Sequence, residues 1–256
     1  MIAKAMEWIK AHTGPNIINI DGAEWSDKQV TKIENIRTLD KVNFYTLSSL
    51  IEYLKSEVDV PNSFVKHIFV NVESPNHVLV YSDANEDNHY SRTQIAEVNA
   101  MLPVVKIGQW VEQTEFCIMM RANFIDNGFV DLGDGEAQID TDRDALISVA
   151  SNIVSGTIAQ YEDTGITQKA TLKTGIQESE DKLLPEKVTL RPYRTFLEVE
   201  QPKSEFIFRA QDTKYDSLQL ALYEADGGRW KMDAMASIKE YLKKQLSELE
   251  YITITA

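Results

Sequence analysis

The chain has 256 residues, 43% of them hydrophobic, which fits one large domain or two modest ones and excludes general disorder. Its 26 Lys and Arg face 40 Asp and Glu, and the net charge of −14 argues against non-specific binding along duplex DNA, where basic surface must release counterions. One cysteine, Cys117, excludes an intrachain disulfide and a cysteine-based zinc site, and no apolar run is long enough for a membrane-spanning helix.

Lys4, Glu7 and Lys10 interrupt the N-terminus, which therefore does not read as a secretory signal, and a cytoplasmic protein is expected. Residues 1–11 can wind into a helix with Ile2, Met6 and Ile9 on one side, ending at Gly14-Pro15, and a short strand follows at 17–20. Thr46 stands where an N-cap belongs, ahead of Leu47, Leu50, Ile51 and Leu54 at helical spacing, and Pro61 closes that region. Residues 67–73 and 77–82 are rich in β-branched and aromatic side chains around Ser74-Pro75-Asn76, the pattern of an antiparallel hairpin, with a third strand at 92–98.

A second helix opens near Thr114, carries Phe116, Met119, Met120 and Phe124 on its inner stripe, and has a stop at Asn127-Gly128. A third begins after Thr141 or Asp142 with Leu146, Val149 and Ile153. From about residue 155 the period changes to two. Residues 157–161 and 167–173 flank Asp163-Thr164-Gly165, a strand over 188–199 meets one over 205–209, and 218–224 pairs with 229–233 across Asp226-Gly227-Gly228. In that last hairpin Trp230 and Met232 share a face. Met235, Ile238, Leu242 and Leu246 then mark a C-terminal helix with Glu240 and Lys244 paired outside, and 251–255 forms a terminal strand. The expected class is α+β: an antiparallel β meander in the C-terminal half with segregated helices, and a smaller α/β N-terminal part. The expected division is 1–106 and 107–256, with one continuous domain as the alternative.

The order of elements and some local wording resemble the YfdQ-like family of bacteriophage and prophage proteins, a family of unknown function. The similar stretches are 44–54, Gln109-Trp110 ahead of Glu115-Phe116, 124–127, and the strand block from Val188-Thr189-Leu190 through Asp226-Gly227, within residues 44–235. The resemblance implies an early-region accessory gene product of a phage or prophage, placed in the cytoplasm of the bacterial host, and supplies no catalytic residues.

Four groups of residues could carry chemistry. Asp140, Asp142 and Asp144 alternate as a calcium loop begins, but the sixth and twelfth positions hold Ala145 and Ser151 where glycine and glutamate are needed. The plainer reading is that Asp142 or Thr141 caps a helix whose N-terminal end favours carboxylates. His12, His67, His77 and His89 lack zinc spacing; His67 and His77 could face one another across the hairpin, with no carboxylate in register. Cys117 lies in an apolar helix segment and reads as core rather than nucleophile.

Arg191-Pro192-Tyr193-Arg194 is the fourth group. Two arginines about a tyrosine can clamp a phosphate or stack on a base, whereas pairing with Glu186, Glu198 or Glu200 is the plainer reading. In a strand, Arg191 and Tyr193 would share a face and Arg194 the other. Arg229, Trp230 and Lys231 offer a weaker version. No motif for a cofactor is present, and none is expected.

The expectation is a non-enzymatic binding or assembly protein, with host counter-defence as one role. It is expected to form a homo-oligomer and to engage a host or phage protein or a small nucleotide, not duplex DNA or a membrane. The alternatives are an accessory factor of phage DNA replication or recombination, and a metal-dependent hydrolase using Asp140, Asp142 and Asp144.

Overall fold

The computed structural model describes residues 4–5, 17–20, 23–26, 32–33, 41–56, 67–84, 92–126, 129–131, 137–139, 142–160, 168–173, 179–213 and 217–256. The first expected helix lies outside these except for Lys4 and Ala5, which are helical, and Pro61, Asn127-Gly128 and the Asp163–Gly165 turn lie outside them altogether. The protein is α+β. No helix among the described residues is long and apolar enough to cross a membrane.

β1 (Ile17–Ile20), β2 (Ala23–Ser26) and β3 (Lys32–Ile33) form a small antiparallel sheet. β4 (Val42–Phe44) leads into α1 (Leu47–Lys55), and Thr46 caps that helix as its sequence implies: its hydroxyl accepts from Ser49 N at 3.1 Å. β5 (Ile68–Ser74) and β6 (His77–Ser82) form the expected hairpin, joined antiparallel by β7 (Gln94–Asn99).

β8 (Val111–Glu112) precedes α2 (Gln113–Asn123), which buries Phe116, Met119 and Met120 and ends at Phe124, ahead of the expected glycine stop. β9 (Phe129–Asp131) and β10 (Ala137–Ile139) pair, and α3 (Arg143–Asn152) then buries Leu146, Ile147 and Ala150. β11 (Ala159–Gln160), β12 (Gln168–Lys173) and β13 (Ser179–Leu183) form one meander. β14 (Lys187–Leu190), β15 (Ser204–Asp212) and β16 (Leu218–Glu224) form a second, to which β8 adds. α4 (Arg229–Gln245) and β17 (Ile252–Thr255) end the described chain.

One expected pairing is overturned, and one expected strand keeps its partner but is cut short. Residues 229–233 are not a returning strand but the first turns of α4. Gly227 and Gly228 do adopt the left-handed conformation, at φ 65° and 80°, as a tight hairpin would require. However, the Asp226 carboxylate accepts from Gly228 N at 2.9 Å, and the chain winds up instead. Trp230, Ala234, Ile238 and Leu242 recur every fourth residue with no glycine or proline between, so the helical period outlasts the brief alternation of Trp230 and Met232. Outside this helix Glu240 pairs with Lys243 at 3.0 Å rather than with Lys244.

The strand expected over 188–199 stops at Leu190, because Pro192 offers no N–H for a ladder. Its neighbours turn toward the end of α2 instead: Ile125 N donates to Arg191 O and Tyr193 N to Asn123 O, both at 2.9 Å. Arg191, Tyr193 and Arg194 consequently have no two-faced strand arrangement.

The segment 191–203 crosses between two hydrophobic cores. One lies between the β14–β15–β16–β8 sheet and α2 with α3, and contains Phe116, Met120, Leu146, Phe206 and Leu220. The other lies between the β17–β5–β6–β7–β4 sheet and α1 with α4, and contains Leu50, Val70, Val80, Ile238 and Leu242. The second sheet takes strands from both sides of residue 106, and Phe196 and Val199 from the crossing segment complete its core. Thr195 fixes the crossing by donating its hydroxyl to Pro75 O at 2.5 Å.

A buried amide holds this segment in shape. Gln201 Oε1 accepts from Arg194 N at 2.9 Å and Thr195 N at 3.1 Å, while its Nε2 donates to Thr195 O at 3.3 Å and Phe196 O at 3.0 Å. Each of those backbone groups would otherwise lose its partner away from water. Gln201→Ala is expected to cost about 2–4 kcal/mol in urea denaturation. A loss well below about 1 kcal/mol would show that Phe196 and Val199 hold the crossing by packing alone.

Candidate functional site

The Arg191–Arg194 segment is where sequence chemistry and structure meet. Arg194 is nine-tenths buried, and its guanidinium carbon lies 3.8 Å from the centre of the Trp230 ring. Its Nη1 bonds Glu224 Oε1 at 2.9 Å, its Nη2 bonds the Ser204 hydroxyl, and that hydroxyl donates to Asp226 Oδ2 at 2.5 Å. Trp230 Nε1 donates to the same Glu224 oxygen at 3.1 Å. One arginine thereby ties the end of β16, the start of β15 and the first turn of α4 into a charged knot.

Burial pushes the Arg194 guanidinium down to about 10, against the opposing pull of Glu224 and Asp226, and it stays charged at neutral pH. Burial alone would raise the Asp226 carboxyl. The Ser204 hydroxyl, Gly228 N–H and Arg194 charge outweigh it and hold the group below the usual carboxylate value.

Arg191 is engaged in the same way, with Nη2 at 2.6 Å from Glu200 Oε1. The structure thus places both arginines on carboxylates, one of them the Glu200 partner considered from sequence, while Tyr193 lies half-buried beside the end of α2. Two shallow clefts flank the segment. The larger, about 420 Å³, holds Lys203 and Arg229 beside Glu205, Asp226 and Asp233; the smaller, about 280 Å³, adds Arg191 and Glu200. Charges of both signs line each cleft, so neither presents a field selective for phosphate.

Of the aspartate trio, Asp140 lies outside the described residues. Asp142 occupies the N-cap position of α3, where its carbonyl accepts from Leu146 N at 2.9 Å but its side chain does not cap the helix. It instead closes the edge of β14: its Oδ2 accepts from Thr189 N at 2.7 Å and its own N–H donates to Thr189 O at 3.0 Å. Asp144 and Asp126 both pair with Arg143, which also donates to Phe124 O at 3.0 Å. Asp142 and Asp144 are therefore partnered by protein. No group of three or more His, Cys, Asp or Glu positioned for a metal occurs among the described residues.

His67 and His77 do not face one another. His67 bonds Thr253 Oγ1 at 2.7 Å at one end of the hairpin, while His77 pairs with Glu73 at 2.7 Å at the other. His77 does have carboxylates in register, since Glu97 Oε2 also lies 3.7 Å from its Nε2. The bond from Lys41, at 2.6 Å, holds Glu97 below the usual carboxylate value. Burial pushes the Cys117 thiol up, and the residue packs against the first core. His12 and His89 lie outside the described residues.

A feature that the sequence reading missed is apolar. Tyr45, Met101 and Leu197 are large hydrophobic residues with 60%, 76% and 73% of their surface exposed, and all three line one groove of about 180 Å³ with Leu102 and Phe196. Three segments build it: the turn after β4, the strap after β7, and the crossing segment between the cores. Among the described residues Glu198 is the only charged one in its lining, and it accepts from Ser48 N at 3.1 Å. The available signal was the run from Val98 to Val105, which is uncharged and belongs to no periodic element beyond Asn99.

No protein-family model, curated protein or solved structure matches this chain.

The depressed Asp226 carboxyl makes a signed prediction. A folded-state value below the unfolded one adds stability above the unfolded value, about 4, and loses it as pH falls through the folded value. Asp226→Asn is therefore expected to flatten the acid limb of stability against pH, read from urea midpoints between about pH 2 and 7. An unchanged acid limb would remove Asp226 from the knot's electrostatics. Arg194→Met, which leaves Glu224 facing Trp230 without its cation, is expected to cost about 3 kcal/mol by the same measurement.

Proposed function

We propose that the protein is a non-enzymatic accessory protein of phage or prophage type, acting in the cytoplasm of a bacterial host by binding a partner protein through the groove at Tyr45, Met101 and Leu197. The observation that carries the reading is the gathering of these three exposed apolar side chains about one concave site. Water-exposed apolar groups are ordinary when scattered. Set around one groove, they mark surface that gains free energy by being covered.

The partner's chemistry follows from charge. The groove contributes one carboxylate, Glu198, and the whole chain carries −14. A partner offering an apolar side chain from a basic surface would be steered in by that field and held by desolvation of the groove. The residues with the strongest claim to reactive chemistry support this reading because each is held by a protein partner: Arg191 by Glu200, Arg194 by Glu224, Asp142 by Thr189 N and Asp144 by Arg143.

The test uses a synthetic peptide with a central leucine or phenylalanine flanked by lysines, titrated calorimetrically into the full chain. Binding is expected to weaken steeply between low and physiological salt and to fall at least about tenfold with Leu197→Asp, a substitution at an exposed position. Binding that ignores both salt and the Leu197 substitution would refute the groove as the docking site.

A further inference from the structure

The other edge of the same sheet carries an independent observation. Among the described residues the five-stranded sheet runs β17–β5–β6–β7–β4, so β17 and β4 are its two outer strands. Exposed strand edges invite pairing with another chain, and folded proteins blunt them with charge, brevity or a cover. The four-stranded sheet does this: Asp142 closes β14, and β8 has two residues. β4 has three residues and is led by Lys41, whose ammonium bonds Glu97. β17 carries no charge, no proline and no bulge, and residues 251–256 are uncharged throughout.

The backbone of β17 has one committed side. Ile68 N donates to Tyr251 O at 2.9 Å, and in a parallel ladder every second residue faces the same neighbour. Residues 251, 253 and 255 therefore address β5, while 252 and 254 direct their peptide groups outward. Ile252 N–H turns back to Leu249 O at 3.2 Å, and the Ile252 carbonyl and both peptide groups of Ile254 point away from the sheet. The side chains alternate with equal regularity: Ile252 and Ile254 pack against the second core, and Thr253 and Thr255 are exposed on the other face.

We propose that β17 receives a second copy of this chain, the two β17 strands pairing antiparallel about a twofold axis through Thr253. Face parity allows an axis through 252, 253 or 254, and the axis through Thr253 centres the pairing on the uncharged residues 251–255. Opposed residues in an antiparallel pair must lie on one face, so Ile252 stands opposite the partner's Ile254, and Thr253 stands opposite the partner's Thr253. Ile254 N–H then donates to the partner's Ile252 carbonyl, and symmetry supplies the reciprocal bond. Isoleucine meets isoleucine on the core side, and threonine meets threonine on the other.

Charge favours this occupant at this edge despite the −14 on each copy. β17 is uncharged, and so are the first five residues of β5 behind it, Ile68 to Val72. Within the paired residues 251–255 the two ribbons meet with no side-chain carboxylate, Glu250 flanks them opposite the partner's Ala256, and charges beyond about 8 Å are screened at physiological salt. The dimer uses the sheet edge opposite β4 and the groove that follows it, so the two sites stand or fall separately.

Sedimentation of the full chain from about 1 to 200 µM tests the proposal. The wild-type protein is expected to show a concentration-dependent dimer that tightens with salt. Thr253→Lys and Thr253→Glu, each placing like charges opposite one another across the axis, are expected to weaken it at least about tenfold. An equimolar mixture of the two variants is expected to recover the dimer mass, because lysine then faces glutamate. A measurement without substitutions stands beside this: exchange of the Ile254 amide hydrogen is expected to slow as protein concentration rises. A wild-type monomer throughout, single variants that dimerise normally, a mixture that stays monomeric, or Ile254 exchange independent of concentration would each overturn it.

Discussion

The structure depends on satisfying backbone hydrogen bonds at places where sheets cannot continue. The chain builds two cores and crosses between them through 191–203, where no strand supplies N–H or carbonyl partners. Gln201 provides them from a side chain, taking two N–H groups and giving to two carbonyls within the crossing. The same device recurs. Gln168 pairs both polar groups of Ala210 through its amide, joining the two meanders, and Asp142 does the work of a neighbouring strand for Thr189. Asp212 accepts from Gly156 N and Ile158 N in the same manner. Short polar side chains at these points replace the next strand and let the chain change direction without orphaned buried groups.

That requirement explains why residues with catalytic appearance are internal to the architecture. Arg194 could clamp an anion only if its fork faced a cleft. Its fork faces Glu224 and Ser204, with Trp230 over its plane, because the turn at 226–228 needs its carboxylate compensated where β15, β16 and α4 converge. Arg143 does the equivalent for Asp126 and Asp144. A buried charge costs several kcal/mol unless it is matched, so these ion pairs position segments more than they stabilise them. Among the described residues, the groove around Leu197 and the edge of β17 are the uncharged surfaces on which the two proposals rest.

Legibility from sequence followed the length of each repeating pattern. α1, with its Thr46 cap and four inward leucine and isoleucine positions, and the β5–β6 hairpin were readable because local chemistry and burial agree there. The RWKMD stretch was misread because alternation over five residues fits a strand as well as the opening of a helix. The deciding contacts of Ile238 and Leu242 come later in the chain and with another sheet. The 188–199 stretch failed for a related reason: Pro192 warned of an edge or bulge, but nothing local says that Phe196 and Val199 belong to a core across the molecule.

The sequence by itself determined the α+β class, the late antiparallel meanders, the acidic surface and the apolar faces of the main helices, since composition and period are properties of neighbouring residues. Tertiary structure alone decided that the C-terminal strand runs parallel to β5, that Arg194 stacks on Trp230, and that Tyr45, Met101 and Leu197 share one groove. Each of these joins residues far apart along the chain. Such meetings are set by which buried polar groups and apolar surfaces can be satisfied together, a condition on the whole fold that no local pattern encodes.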